Sequence, residues 1–375
     1  MKKKILALLL GSLMVLTTAC GTTSTSKSDS SPAAVASAPM AKSDIKVGFV
    51  YIGDIKDGGY TQAHDKGRLA IEAMGIKTAY QENVKEEDQA CQTAILNLID
   101  SGCNVIYTTS FGFMEPTLAV AKTHPEVKFG HATGYKTAAN VSTYMGKVEE
   151  PRYLAGIAAG LKTKSNKIGY VAAMPISEVI RGINAFTLGV KSVNPTATVE
   201  VVWTNTWYDP TLEKQAAQQL LNKGCDVLAQ HQDSTTTQTA AEEKGAFAVG
   251  YNTSTPTAAP KAYLTAPLFH WEKFYVNDVQ SIIDGKWQSR HYWEGMASGM
   301  TSLDTLTANC ADGTKDKVET AQKAILDGKL SVFAGPIKDQ SGAVKVKDGE
   351  KMTDDEVWNM SWFVEGVIGT IPAAK

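Results

Sequence analysis

From Ile45 onward, apolar residues come in short unbroken runs, separated by stretches in which they recur every three or four positions. Runs of the first kind predict strands covered on both faces, and the second spacing predicts helices packed on one face. Residues 45–52 predict a strand that ends in a loop rich in Gly and Asp, and helical spacing follows over 61–74 and 86–100. Residues 104–108 predict the next strand, 115–122 a helix and 128–130 a short strand. The alternation then begins again, with strands at 167–172, 199–203, 226–229, 247–250 and 262–265 and helices at 180–193, 211–222 and 237–244. Strands alternating with helices at this interval predict βαβ units and parallel sheets.

The two halves share local text. AILNLIDSGCNVIYTTS, from Ala94, and QQLLNKGCDVLAQHQDS, from Gln218, both run helix, Gly-Cys, strand, polar loop. Such a duplication predicts an α/β protein of two similar, doubly wound lobes. Ligands of these sheets bind beyond the carboxyl ends of the strands, so the site is expected where the lobes face each other. The loops at those ends carry the aromatics Tyr60, Phe111, Trp207 and Trp271 and the polar side chains Asp57, Asp233 and Asn252, with Trp203 close by. Rings to stack on, with carboxylates or amides to meet ring N–H groups, suit a flat heteroaromatic ligand. Structural roles compete for several of these residues: Asp57, Asp209 and Asp233 also suit helix caps, Tyr60 a helix staple, Trp207 a sheet-edge cover and Trp271 the core.

The chain has 375 residues, 43% of them apolar, which is ample for two cores, and a net charge of −2 that offers no basic field to nucleic acid. Its six histidines show no metal-ligand spacing, and His131 and His231 are assigned to core or surface positions. There is no Gly-x-Ser-x-Gly elbow and no Walker loop, so the chain is not expected to be an enzyme, and no cofactor or metal is expected. Cys91, Cys103, Cys225 and Cys310 match no zinc or haem pattern and are taken as structural, their disulfide state left open. At the other end, Lys2, Lys3 and Lys4 precede an apolar run over 5–16, the pattern of a secretory signal. The segment Leu16-Thr17-Thr18-Ala19-Cys20-Gly21 resembles a bacterial lipobox, with Thr17 where Leu is usual. That likeness implies removal of residues 1–19 and a diacylglycerol on Cys20. Residues 20–43, rich in Ser, Thr, Ala and Pro, are expected to form a flexible tether.

Five separate segments carry a family resemblance. The loop Asp57-Gly58-Gly59-Tyr60-Thr61-Gln62, the helix from Arg181 to Pro195, and the stretches Tyr144–Lys147, Tyr153–Gly156 and Gly224–Val227 are similar to the basic membrane lipoprotein (PnrA-like) family, the substrate-binding proteins of ABC importers for purine nucleosides and bases. The likeness covers about residues 45–290. Departures are specific: the family's second stacking Phe falls on Gly182, its loop Asn on Thr61 and its ribose-binding Asp on Asn252. Gly58–Arg68, Thr108–Pro116, Trp203–Pro210 and Gln230–Thr235 look like the branch associated with free bases such as adenine. The resemblance implies a type I periplasmic-binding-protein fold, with two doubly wound parallel-sheet lobes joined by a hinge of crossing segments near residues 150, 265 and 295. One lobe is expected from 44–150 plus about 270–295, the other from 151–265 plus about 296–375. It further implies a lipid-anchored, extracytoplasmic and monomeric receptor with an ABC permease and ATPase as partners. A purine base is the expected ligand and a purine nucleoside the second reading. A sensor for another small solute stands third, and a nucleoside hydrolase would need a metal-binding Asp cluster that the sequence lacks.

Overall fold

The computed structural model describes residues 38–373, and the predicted signal and Cys20 lie outside them. The chain first runs β1 (Lys46–Val50), α1 (Tyr60–Ala73), β2 (Lys77–Gln81), α2 (Asp88–Asp100), β3 (Val105–Thr108), α3 (Met114–Thr123), β4 (Lys128–Ala132) and β5 (Val141–Gly146). It continues through α4 (Glu149–Lys162), β6 (Lys167–Ala172), α5 (Ser177–Val193), β7 (Thr198–Trp203), α6 (Pro210–Asn222), β8 (Val227–His231), α7 (Thr236–Glu243), β9 (Phe247–Val249) and β10 (Tyr263–Thr265). There follow β11 (Pro267–Phe269), α8 (Trp271–Ile283), β12 (His291–Glu294), β13 (Thr301–Leu303) and α9 (Thr314–Leu326), and then β14 (Ile337–Lys338), β15 (Val344–Val346), α10 (Asp354–Trp358) and β16 (Val367–Ile368).

Two six-stranded sheets result, ordered β12-β5-β4-β3-β1-β2 and β10-β9-β8-β6-β7-β16, with every pairing parallel. The central order is the same in both, as the repeated text predicts: β1 lies between β2 and β3 as β6 lies between β7 and β8. β3 and β8 are buried along their whole length, which is why their sequences read as continuous apolar runs rather than as an alternation. The chain passes between the sheets after β5, around β11, and between β12 and β13. The β11–β13 antiparallel pair lies at these crossings. This is the expected type I architecture.

Some elements were not foreseen. β2 is an edge strand with no buried position, so it lacks the apolar run that marks its neighbours. β5 and α4 also escaped the pattern. α4 is rich in Ala and Gly because it packs almost backbone to backbone on α5: a Cβ on Gly156 would stand 2.1 Å from the Phe186 carbonyl oxygen, and one on Gly189 1.9 Å from that of Tyr153. Near the C-terminus β14 and β15 form a short antiparallel hairpin. Cys91, Cys103 and Cys225 are buried, Cys310 is half-buried, and all four are free thiols. Among the described residues no helix is long and apolar enough to cross a membrane.

Candidate ligand-binding site

At the carboxyl ends of both sheets lies a narrow cavity to which both lobes contribute. Ile52, Tyr60, Ser110, Phe111 and Thr133 contribute from the first lobe, Glu178, Trp207, His231, Asp233 and Tyr251 from the second. The loops that follow β1, β3, β6, β7 and β8 supply most of these, at the two points where strand order reverses.

Tyr60 opens α1. The Asp57 carboxylate sets that helix start by accepting from the backbone N–H groups of Gly59 (2.8 Å), Thr61 (2.8 Å) and Gln62 (3.1 Å). Asp57 is thereby corrected from a ligand contact to an anchor of the loop; it lines the wider outer groove rather than the narrow cavity. The Tyr60 hydroxyl donates to the Thr109 carbonyl, and burial holds it well above the usual phenol range, so it stays protonated. Beneath Tyr60 sits Trp271, fully buried, stacked on His64 at 4.1 Å and on Phe269 at 4.6 Å, with its ring edge-on to Tyr60 at 6.1 Å. Trp271 is therefore core that supports a cavity wall, which corrects its assignment as a lining residue.

Two further expectations need correction. Trp203 stacks on Phe363 at 6.2 Å and gives its indole N–H to the Thr370 carbonyl at 2.9 Å, away from the cavity. The C-terminal segment that carries β16 claims this ring, and no local pattern announces that. Asn252 is fully buried in a left-handed backbone conformation (φ 69°) and does not line the cavity, and both its side-chain polar atoms lack partners among the described residues. Tyr60, Phe111, Trp207 and Asp233 do meet in one cavity.

Several lining residues were missed. His231, expected in the core or at the surface, ends β8 and faces the cavity with Nε2 3.1 Å from the Tyr251 hydroxyl and 3.4 Å from Glu178 Oε1. Burial lowers it to about 4, so the ring is neutral near pH 7. Glu178, in the first turn of α5, is not among the residues expected from the loops. Its position one turn into a helix that starts at a strand's carboxyl end was the available signal. Among the described residues no Lys, Arg, Asn or Gln lines the cavity. The Arg152 guanidinium is fully buried, 3.9 Å from the centre of the Tyr251 ring, with one N–H on the Gln230 carbonyl at 2.8 Å. Acceptors thus face inward from the acids, between aromatic walls.

The lobes touch around this space. The Trp207 indole N–H donates to Glu86 Oε2 at 3.3 Å, and Lys66 Nζ donates to the Thr253 hydroxyl at 2.6 Å. A Cβ on Gly59 would stand 2.3 Å from the Asp233 carbonyl oxygen, so only glycine lets the two loops meet. Among the described residues no group of three or more His, Cys, Asp or Glu side chains is placed to hold a metal ion.

The family described as ABC transporter substrate-binding protein, PnrA-like, matches residues 44–332. A purine-binding protein of Brucella abortus is 40% identical over 338 residues, 89% of this chain and 96% of its own length. A putative ABC transporter glucose-binding protein of Haloferax volcanii is 39% identical over 89% of this chain and 83% of its own. The crystal structure of an ABC transporter solute-binding protein from Aeropyrum pernix superimposes with a TM-score of 0.68 at 20% identity, over 78% of this chain and 94% of that one, a likeness of fold. With a family match across most of its length and two lobes closed on an aromatic cavity, this chain belongs to the PnrA-like family of ABC transporter substrate-binding proteins.

Proposed function

We propose that this protein captures a purine nucleobase in the interlobe cavity and delivers it to an ABC permease and its ATPase. One observation carries the reading: the cavity between the lobes has aromatic rings from both lobes and inward-facing acids, with no side-chain cation among the described residues that line it. A flat ring with N–H donors fits that lining. Tyr60 and Trp207 serve as the stacking faces and Phe111 closes the side, while Asp233 and Glu178 accept from the ring edge. The purine-binding Brucella relative supports this choice.

Transport follows from differential affinity. A ligand held by residues of both lobes stabilises the closed form, which a permease can distinguish from the open one. We propose further that Cys20 carries the lipid anchor and that residues 20–43 tether the lobes on the outer side of the membrane. Thermal-shift screening of adenine, guanine, their nucleosides and glucose tests the ligand class, since a ligand at one hundred times its Kd adds about 2.7 kcal/mol of stability. Bases are expected to shift Tm most. A shift with ribosides alone moves the assignment to nucleosides, and a shift with glucose alone, as the name of the Haloferax relative would suggest, removes the purine reading.

A further inference from the structure

Three buried polar atoms of the second lobe surround one spot beside α5. A Cβ on Gly182 would stand 3.6 Å from Arg152 Nε, 3.7 Å from His231 Nδ1 and 3.8 Å from the Tyr170 hydroxyl. None of these three atoms has a hydrogen-bond partner among the described residues, although Arg152 and Tyr170 are fully buried and His231 is 2% exposed. They come from three separate elements, α4, β6 and the end of β8, and Gly182 stands in a fourth. The packing thus aims three polar groups at a notch that a glycine leaves open. Buried polar groups are as a rule paired, so the notch calls for a partner of definite chemistry.

All three groups are donors. The Nε of a guanidinium only donates, and the group keeps its charge when buried. The Tyr170 hydroxyl finds no acceptor elsewhere among the described residues, so its proton is free to point into the notch. On His231, Nε2 lies 3.1 Å from the Tyr251 hydroxyl, the one hydrogen bond that this hydroxyl forms among the described residues. With Tyr251 donating, the ring proton sits on Nδ1 and faces the notch. A water has two lone pairs and would leave one of three donors unanswered.

Charge points the same way. Arg152 gives one N–H to the Gln230 carbonyl at 2.8 Å and lies over the rings of Tyr251 at 3.9 Å and Tyr170 at 5.4 Å. It forms no ion pair among the described residues. Of the buried acids in that region, Glu149 lies 3.8 Å from Arg181 and Glu178 3.4 Å from His231. A buried cation is costly unless an opposite charge meets it, and a carbonyl with two aromatic faces offsets only part of that cost.

We infer that the notch at Gly182 is an anion site, taking a monovalent anion of chloride size on Arg152 Nε, the Tyr170 hydroxyl and His231 Nδ1. The donors stand too close about one point for sulfate or phosphate. Binding there holds the His231 ring with Nε2 as acceptor toward Tyr251. Both of those residues line the ligand cavity, so the anion organises one cavity wall whichever solute the cavity takes.

Thermal unfolding of the full folded protein tests this, at constant ionic strength with gluconate, too large for the notch, as the replacement anion. Raising chloride from about 1 mM to about 100 mM is expected to raise the wild-type Tm by about 2 °C or more and to saturate. In Gly182→Ala the methyl fills the notch at ordinary contact distances, and Ala is the better helix former. That variant is expected to fold, to match or exceed the wild-type Tm at low chloride, and to show no chloride dependence. Crystals of the wild type grown in bromide are expected to show an anomalous peak in contact with the three donors. A wild-type Tm indifferent to chloride overturns the inference and leaves a water as the occupant. Chloride dependence retained by Gly182→Ala, or a bromide map with no peak at the notch, overturns it as well, because the anion then acts elsewhere.

Discussion

The indole N–H of Trp207, on one lobe, reaches the Glu86 carboxylate of the other at 3.3 Å, across the mouth of the cavity. Glu86 Oε1 meanwhile holds the loop that bears Phe111, accepting from the Ser110 hydroxyl at 2.5 Å and the Gly112 N–H at 2.8 Å. One exposed acid thus ties an aromatic lining residue of each lobe to the closed arrangement.

Replacing that acid should loosen closure without unfolding either lobe. Each exposed hydrogen bond contributes on the order of 0.5–1.5 kcal/mol, so Glu86→Ala is expected to weaken ligand binding about two- to tenfold. The loss should appear in the dissociation rate, measured by stopped-flow tryptophan fluorescence. An unchanged rate would mean that the Trp207–Glu86 contact does not help to hold the closed form.

Gly59→Ala acts more severely on the same step. Its Cβ would lie 2.3 Å from the Asp233 carbonyl oxygen, and both partners are backbone that cannot swing aside. Overpacking of this kind costs about 1–3 kcal/mol, here charged to the closed form alone. Affinity should fall roughly 5- to 150-fold while the ligand-free Tm stays close to that of the wild type. Small-angle scattering should show less compaction on ligand addition.

Gly189→Ala provides the contrasting case. The added methyl would stand 1.9 Å from the Tyr153 carbonyl oxygen at the α4–α5 contact, inside one lobe and away from the cavity. Stability is expected to drop by about 1–3 kcal/mol in urea titration, with ligand affinity of the folded fraction unchanged.

Acid should destabilise the fold through its buried imidazoles. Burial lowers His231 to about 4 and His131 to about 3, whereas in the unfolded chain such groups titrate near 6.5. Between those values the unfolded chain binds more protons. The stabilisation is therefore complete above about pH 6.5 and is lost as pH falls toward 4 and 3. Each histidine contributes a slope of at most about 1.4 kcal/mol per pH unit. His131→Asn, which removes one titrating ring from a site where Nδ1 meets the Thr108 hydroxyl at 2.9 Å, should flatten the profile of urea midpoint against pH over that window.

Much of the site's outline was legible along the chain because strand ends can be counted. Tyr60 and Phe111 follow β1 and β3, Trp207 and Asp233 follow β7 and β8, and all four meet. The failures share a cause. Asp57 turned to its own helix start, Trp203 was covered by a segment from the far C-terminus, and Trp271 was enclosed by His64 and Phe269. A residue type at a loop position states what a side chain is able to do, and its neighbours settle what it does.

The sequence by itself determined most of the order of strands and helices, the duplication that yields two like sheets, and the end of each sheet at which the cavity lies. These follow from the spacing of apolar positions and from the short right-handed connections of βαβ units. Only the tertiary structure decided that His231, Glu178 and Tyr251 share a wall, that Gly59 is the point where the lobes touch, and that four acids surround Asp233. Those relationships join residues far apart in the chain through the packing of one lobe on the other, and hydrophobic periodicity, being local, carries no record of them.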